Sequence, residues 1–122
     1  LAEILTGKRA LEERMDKQAA ADLIARGAGA VVLKLGSRGS LAVTQDGHFY
    51  RVPPYRVNVA DTTGAGDAFS AALAVAVGRG QDMHSAARFA NAAGALACTK
   101  LGAQAALPTA DEVRILMADQ PQ

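Results

Sequence analysis

"RALEERMDKQAAADLIARGAGAVVLKLG", residues 9 to 36, is the stretch whose reading decides the fold. Over residues 9–26, Leu11, Met15, Ala19, Leu23 and Ile24 recur at helical spacing with charges between them. That spacing predicts an amphipathic helix. Gly27 and Gly29 end it. Residues 30–36, "AVVLKLG", form a short β-branched apolar run bounded by glycines, as expected of a strand covered on both faces within a parallel sheet. Helix, glycine turn and buried strand together predict an α/β fold.

Further along, "SLAVTQ" (40–45) and "HFYRVP" (48–53) flank Asp46-Gly47, a turn dipeptide that predicts a hairpin. Pro53-Pro54 stops the second strand. "YRVNVA" (55–60) reads as extended. Residues 67–78 read as an alanine-rich helix with Phe69, Leu73 and Val77 on one side. Residues 83–98 read as another, with Ala86, Phe89, Ala93, Leu96 and Ala97 as a buried stripe. So many alanines allow two helices to approach closely. "KLGA" (100–103) breaks the second. After Pro108 a last helix is predicted over 109–118, with Thr109 as N-cap and Glu112 three residues on.

The chain has 122 residues, half of them hydrophobic and a fifth charged, with a net charge of +1. This fits one globular domain at most. The balance gives no electrostatic case for nucleic acid or an acidic membrane. The apolar stretches are too short and too interrupted to span a membrane. The first residues show no charged-then-apolar pattern, so a signal peptide is not expected. The single cysteine, Cys98, excludes an internal disulfide framework. These features point to a cytoplasmic protein. The chain starts at Leu1, and "LAEILTG" reads as the interior of something longer, so a piece of a larger protein is expected.

"DTTGAGDAF", residues 61 to 69, carries the chemistry. Gly64 and Gly66 let the loop turn its N–H groups inward. With a helix starting near Gly66, those donors meet the positive end of the helix dipole and suit an anion. Gly66 has no Cβ, so a phosphate can come close. Asp67 then has two readings. As a first-turn acid it stabilises the dipole. As a general base it takes the proton of an attacking hydroxyl while the N–H groups stabilise a transferred phosphoryl. One group can do both. A Walker A loop would need a lysine that is absent, and the dinucleotide fingerprint would need glycine where Phe69 stands.

Other stretches are less specific. "KLGSRG" (34–39) follows a strand and either lines a nucleotide or is a plain tight turn. Asn91 is a weak helix former within an apolar helix, either partly exposed or locally bonded, or else functional. Cys98 reads as a small core residue. His48 and His84 form no recognisable metal set and read as surface residues.

The "DTTGAGDAF" stretch resembles the second signature of the PfkB carbohydrate kinases, the ribokinase-like family. "AEILTG" (2–7), "LKLGSRGS" (33–40), "RVPPYRVNVADTTGAGDAF" (51–69) and "ARFANAAGALACTKLGAQAALP" (87–108) follow the family's order and spacing. The resemblance covers essentially the whole chain, residues 1–122. It implies the C-terminal, nucleotide-binding part of a doubly wound α/β sheet flanked by helices, and transfer of the γ-phosphoryl group of ATP to a sugar hydroxyl. Asp67 would be the base and touch the reacting hydroxyl. Gly64, Ala65 and Gly66 would form the anion hole. Lys34, Leu35, Gly36, Ser37, Arg38 and Gly39 would border the nucleotide, with Asn91 near the adenine. A monovalent cation, K⁺, would sit at Asp61, Thr63, Ala97, Lys100, Gly102 and Ala106, mostly on backbone carbonyls. At the last of these the family usually carries a hydroxyl, which Ala106 lacks. Mg²⁺ would ride on the ATP phosphates. A homodimer is implied for the full-length enzyme.

Family members run to roughly twice this length or more, and their N-terminal half carries the sugar pocket and lid. No residue here except Asp67 is assigned to sugar recognition. Two rivals stand beside the sugar-kinase reading. One keeps the family and changes the acceptor to another sugar, a sugar acid, a phosphosugar or a nucleoside. The other is an inert nucleotide-binding or interaction module.

Overall fold

The structure is a computed structural model and describes residues 2–99 and 108–122. Helix α1 runs Ala2–Ala25 and leads into strand β1, Ala30–Lys34. A single 3₁₀ turn, Gly36–Arg38, precedes β2, Ser40–Thr44, which pairs with β3, Phe49–Val52. Three helices follow: α2, Ala65–Gly78; α3, Met83–Ala97; and α4, Ala110–Asp119.

The sheet has the order β1-β2-β3 and is antiparallel throughout, with Val32 opposite Ala42 and Ala42 opposite Tyr50. The expectation of a parallel setting for β1 is therefore corrected among the described residues. The reason is the connection. Parallel neighbours need a crossover of a dozen residues or more, whereas residues 35–39 return the chain directly. The expectation of cover on both faces holds. Val31, Leu33, Leu41 and Val43 point to one face and pack with Ala20 and Ile24 of α1. Val32, Ala42, Tyr50 and Val52 point to the other and pack with Met83 and Ala87 of α3. Period-two alternation thus feeds two helix layers, an α/β arrangement.

Two helix faces differ from expectation. Among the residues of α1 whose burial is described, the buried one is Ala20, while Met15 and Leu23 are 62% and 44% exposed. A helix lying flat on a sheet seats its smallest residues at the point of closest approach, and Ala20 fills that place. In α2 the buried residues are Ala68, Phe69 and Ala76, and Val77 is 45% exposed. Again alanines mark the contact, here with α3, whose Ala86, Ala93 and Ala97 are buried as expected, while Phe89 and Leu96 of the expected stripe are half-buried and Ala90 is buried as well. Gly94 tightens the crossing, since a Cβ there would sit 3.4 Å from the Ala65 carbonyl oxygen.

The last helix forms as read. Glu112 N–H donates to the Thr109 hydroxyl at 3.2 Å, and Thr109 N–H donates to the Glu112 carboxylate at 3.0 Å. This reciprocal cap satisfies two otherwise orphaned donors. Tyr55 is buried with Ala92, Ala93 and Val113, so it joins α3 to α4. Gln120 donates to the Arg56 carbonyl at 2.6 Å and accepts from the Arg56 N–H at 2.8 Å, which fastens the chain end to the segment leaving β3. No helix among the described residues is long and apolar enough to cross a membrane.

Candidate active site

The loop before α2 is shaped by its own side chains. Thr63 donates from its N–H and its hydroxyl to Asp61 Oδ1, at 2.9 and 2.7 Å. The Ala65 N–H donates to the Thr62 carbonyl at 3.2 Å. Gly64, the N-cap, has φ 82°, a left-handed conformation that glycine adopts without steric cost. From behind, the Cys98 carbonyl accepts the N–H groups of Ala60 and Asp61 at 2.7 and 3.1 Å. Helix α2 starts at Ala65, close to the expected position.

This geometry leaves two donors over. Ala65 N–H is taken by Thr62, and Ala68 N–H donates to the Gly64 carbonyl at 2.9 Å. The intervening N–H groups of Gly66 and Asp67 have no acceptor among the described residues, and no side chain caps the helix. Free donors at the positive end of a helix dipole attract an anion. A second positive group stands beside them. The Lys34 ammonium, at the end of β1, lies 5.8 Å from the centre of the Phe69 ring and would be 3.2 Å from a Cβ at Gly66. Lys34 makes no ion pair among the described residues.

Beneath these groups a cavity of about 500 Å³ opens, bordered by Lys34, Gly36, Gly39, Gly66, Asn91 and Cys98. Its size falls in the usual range for small-molecule sites. The structure therefore brings together the glycine turn after β1, the start of α2 and the middle of α3. Asn91 borders the cavity while its amide donates to the Val52 and Pro53 carbonyls at 3.3 and 3.2 Å. Its partners lie far along the chain, so Asn91 is half-buried and bonded but not locally.

Within 34–39 the contributions differ. Leu35 packs toward α1 with Ala20 and Leu41. Arg38 also turns to α1, pairing with Asp16 at 2.9 Å and Glu12 at 3.7 Å. The side chains of Leu35 and Arg38 therefore leave the cavity to the turn's backbone, and Ser37 lies inside that turn. Asp67 is exposed, third in α2 and just beyond the cavity wall.

Of the cation set, Asp61 and Thr63 are bonded to each other, and Ala97 is buried against Ala68 and Ala65. Lys100, Gly102 and Ala106 lie outside the described residues. Among the described residues no cluster of three His, Cys, Asp or Glu side chains could hold a metal ion.

Several wall residues were not expected. Val57 and Val59 border the cavity, and Val59 is 64% exposed. Their two-residue spacing in an extended segment was the available signal. Cys98 is half-buried in the cavity wall, not in the core. His84 is half-buried and stacked on Tyr50, with ring centres 5.1 Å apart, because the hairpin lies across the start of α3. His48 is exposed and bonded to Asp46 at 2.8 Å.

Similarity to known proteins agrees with this geometry. The description "pfkB family carbohydrate kinase" matches residues 2–110. Ribokinase of Bacillus subtilis is 48% identical over 67 residues, covering 55% of this chain and 23% of that protein. The 5-dehydro-2-deoxygluconokinase of Listeria innocua is 35% identical over 89 residues, covering 73% of this chain and 27% of its own. Among solved structures, Arabidopsis thaliana ribokinase complexed with ribose and ATP has a TM-score of 0.76 at 38% identity, over 82% of this chain and 32% of the other. A putative ribokinase II of Escherichia coli in complex with ATP and Mg²⁺ has a TM-score of 0.80 at 31% identity, over 85% and 33%. Phosphofructokinase-2 of Escherichia coli in complex with potassium has a TM-score of 0.77 at 28% identity, over 87% and 34%. The chain thus spans between a quarter and a third of the length of most of these relatives. With the signature loop, the two helix layers and the match over residues 2–110 in agreement, the chain belongs to the pfkB family of carbohydrate kinases.

Proposed function

We propose that this chain forms the nucleotide and phosphoryl-transfer side of an ATP-dependent kinase acting on a sugar or sugar-acid hydroxyl. One observation carries the reading: the free N–H groups of Gly66 and Asp67 open α2 beside the Lys34 ammonium, at the edge of the cavity that Gly66 and Lys34 border. Three donors of that kind fit the terminal phosphates of a nucleotide. The adenosine end would lie along Asn91, Val57 and Val59.

ATP supplies the phosphoryl group. Asp67 accepts the proton of the sugar hydroxyl, whose oxygen forms the new bond to the γ-phosphorus as the bond to the β,γ-bridging oxygen breaks. ADP carries away the released charge. Of the expected anion hole of Gly64, Ala65 and Gly66, the Ala65 N–H is already given to Thr62, so the N–H groups of Gly66 and Asp67 would hold the equatorial oxygens while Gly64 shapes the turn, and positioning of this kind is most of the catalysis in phosphoryl transfer. With no acidic cluster beside the loop among the described residues, Mg²⁺ would be held through the phosphates. Asp61, Thr63 and Ala97 are the described part of the proposed K⁺ set, with Asp61 and Thr63 fixed to one another at the foot of the loop. In the full-length protein the outer edge of β1 would pair with a further strand, and a homodimer is expected.

A coupled assay on a full-length protein containing this chain tests the function, with ribose and 5-dehydro-2-deoxygluconate as acceptors. We expect turnover with at least one, faster in K⁺ than in Na⁺ or a bulky organic cation at constant ionic strength. No phosphorylation of any sugar or sugar acid by a protein that binds ATP would favour the inert module. Equal rates in all salts would remove the cation site alone.

Gly66→Val tests the anion hole. The Lys34 end that a Cβ would meet is flexible and can move, so folding should survive. The phosphate approach should not. We expect nucleotide affinity to fall on the order of tenfold, the worth of one charge-assisted hydrogen bond, with little change in Tm. Unchanged affinity by calorimetry would show that phosphate does not approach Gly66.

A further inference from the structure

We infer that the cleft at the far end of α2, rimmed by Arg79, Arg88 and Arg114, is a second anion site that takes a small phosphate monoester with an apolar body. The cleft has a volume of about 450 Å³ and lies where the end of α2, the start of α3 and α4 meet. At 1.5 Å per residue, the length of α2 puts it roughly 20 Å from the anion hole at Gly66. It is therefore separate from the nucleotide cavity and independent of the function proposed above.

The charge in this cleft is compensated only in part. Arg88 Nε is buried and has no hydrogen-bond partner. A buried donor without an acceptor is costly and calls for one. Neither Arg79 nor Arg88 makes an ion pair among the described residues, and Arg114 has a single one, to Asp111 at 3.2 Å. The negative groups nearby are already occupied. Carbonyls at the end of α2 accept the N–H groups of Arg79, Gly80 and Gln81. Asp82, the acid on the same rim, caps α3 by accepting from Ser85 N–H at 2.8 Å and from Ser85 Oγ at 3.2 Å. That backbone bond holds its carboxyl below the usual range, so it counts as one full negative charge. Three guanidinium groups against Asp82 and the Arg114-paired Asp111 still leave an excess of positive charge.

The floor decides the rest of the ligand. Val75, Ala76, Phe89 and Met117 form an apolar base under the arginines. Guanidinium forks match the planar pairs of oxygens on a phosphate, and the base suits a hydrocarbon or ring portion. A fully hydrated inorganic anion would use only half of this surface.

Phenyl phosphate is the probe, titrated by calorimetry into a full-length protein containing this chain. We expect saturable binding at one site, at least tenfold tighter than inorganic phosphate. Arg88→Met keeps the stem packing and removes the fork, and Arg79→Gln alters only an exposed position. Each should weaken phenyl phosphate binding at least tenfold, while Gly66→Val should leave it unchanged. Benzyl alcohol, with the ring and no charge, should not bind. Loss of binding in Gly66→Val with retention in both arginine variants would assign the phosphate to the catalytic loop and overturn the inference. So would equal binding of benzyl alcohol, or the absence of saturation.

Discussion

Asp67→Asn, in a full-length protein containing this chain, should slow phosphoryl transfer by about 10²–10⁴-fold, the usual contribution of a general base. Asparagine preserves the shape and the N–H but cannot accept the proton. The same substitution separates the two roles open to this residue. As a first-turn acid, Asp67 contributes only about 0.3–1 kcal/mol through the helix dipole, and it is exposed with α2 packed through Ala68 and Phe69 instead. Tm should therefore change little. ATP affinity should hold or rise, because a negative charge beside the phosphates is removed. Single-turnover measurement of sugar phosphate, alongside calorimetry with ATP, separates these quantities. Near-normal turnover would leave Asp67 only its helix-dipole role.

The parts of the fold that were legible are local ones. The reciprocal cap at Thr109 and Glu112, the Asp46-Gly47 hairpin and the start of α2 after Gly64 each depend on residues within a few positions of one another. Their physics is complete inside a short window. The direction of β1 depends instead on which strand lies beside it, and an apolar run such as "AVVLK" looks the same in either setting. The face of α1 was misread for a related reason. Helical spacing gave Met15 and Leu23 the weight of their size, while the sheet surface selected Ala20.

The same division holds at the site. Glycines at 64 and 66 before an apolar helix announce free N–H groups, and the structure leaves those of Gly66 and Asp67 without an acceptor among the described residues. The far wall was not legible. Val57, Val59 and Cys98 reach the cavity only because the segment after β3 crosses the end of α3, where the Cys98 carbonyl holds Ala60 and Asp61. Arg38 shows the converse. Its place in a glycine turn suggested a ligand contact, but Asp16 and Glu12 on α1 claim its guanidinium. Charge partners far along the chain cannot be read from a six-residue motif.

Gly39→Ala should unfold this region at a much lower temperature. Gly39 has φ 88° and ψ −133°, outside the space open to residues with a Cβ, and forcing one there costs about 1–3 kcal/mol. Space is the second obstacle. A Cβ would land on the Val52 carbonyl oxygen and within 2.9 Å of the Pro54 nitrogen. Both are backbone atoms at the exit of β3, where Pro53 and Pro54 restrict any shift and Asn91 grips the Val52 and Pro53 carbonyls. Overpacking against such a wall adds about 1–3 kcal/mol. The neighbouring turn provides the control. Gly36 has φ 58°, but a Cβ there would meet open space, so Gly36→Ala should cost only about 1–2 kcal/mol from the left-handed backbone. Thermal unfolding of the two variants should place Gly39→Ala well below Gly36→Ala, by roughly 5–15 °C for a domain of this size. Nucleotide affinity should follow, since the displaced turn carries Lys34 away from Gly66. Equal Tm values for the two variants would mean that the approach of Gly39 to the Val52–Pro54 backbone is not what holds the turn against β3.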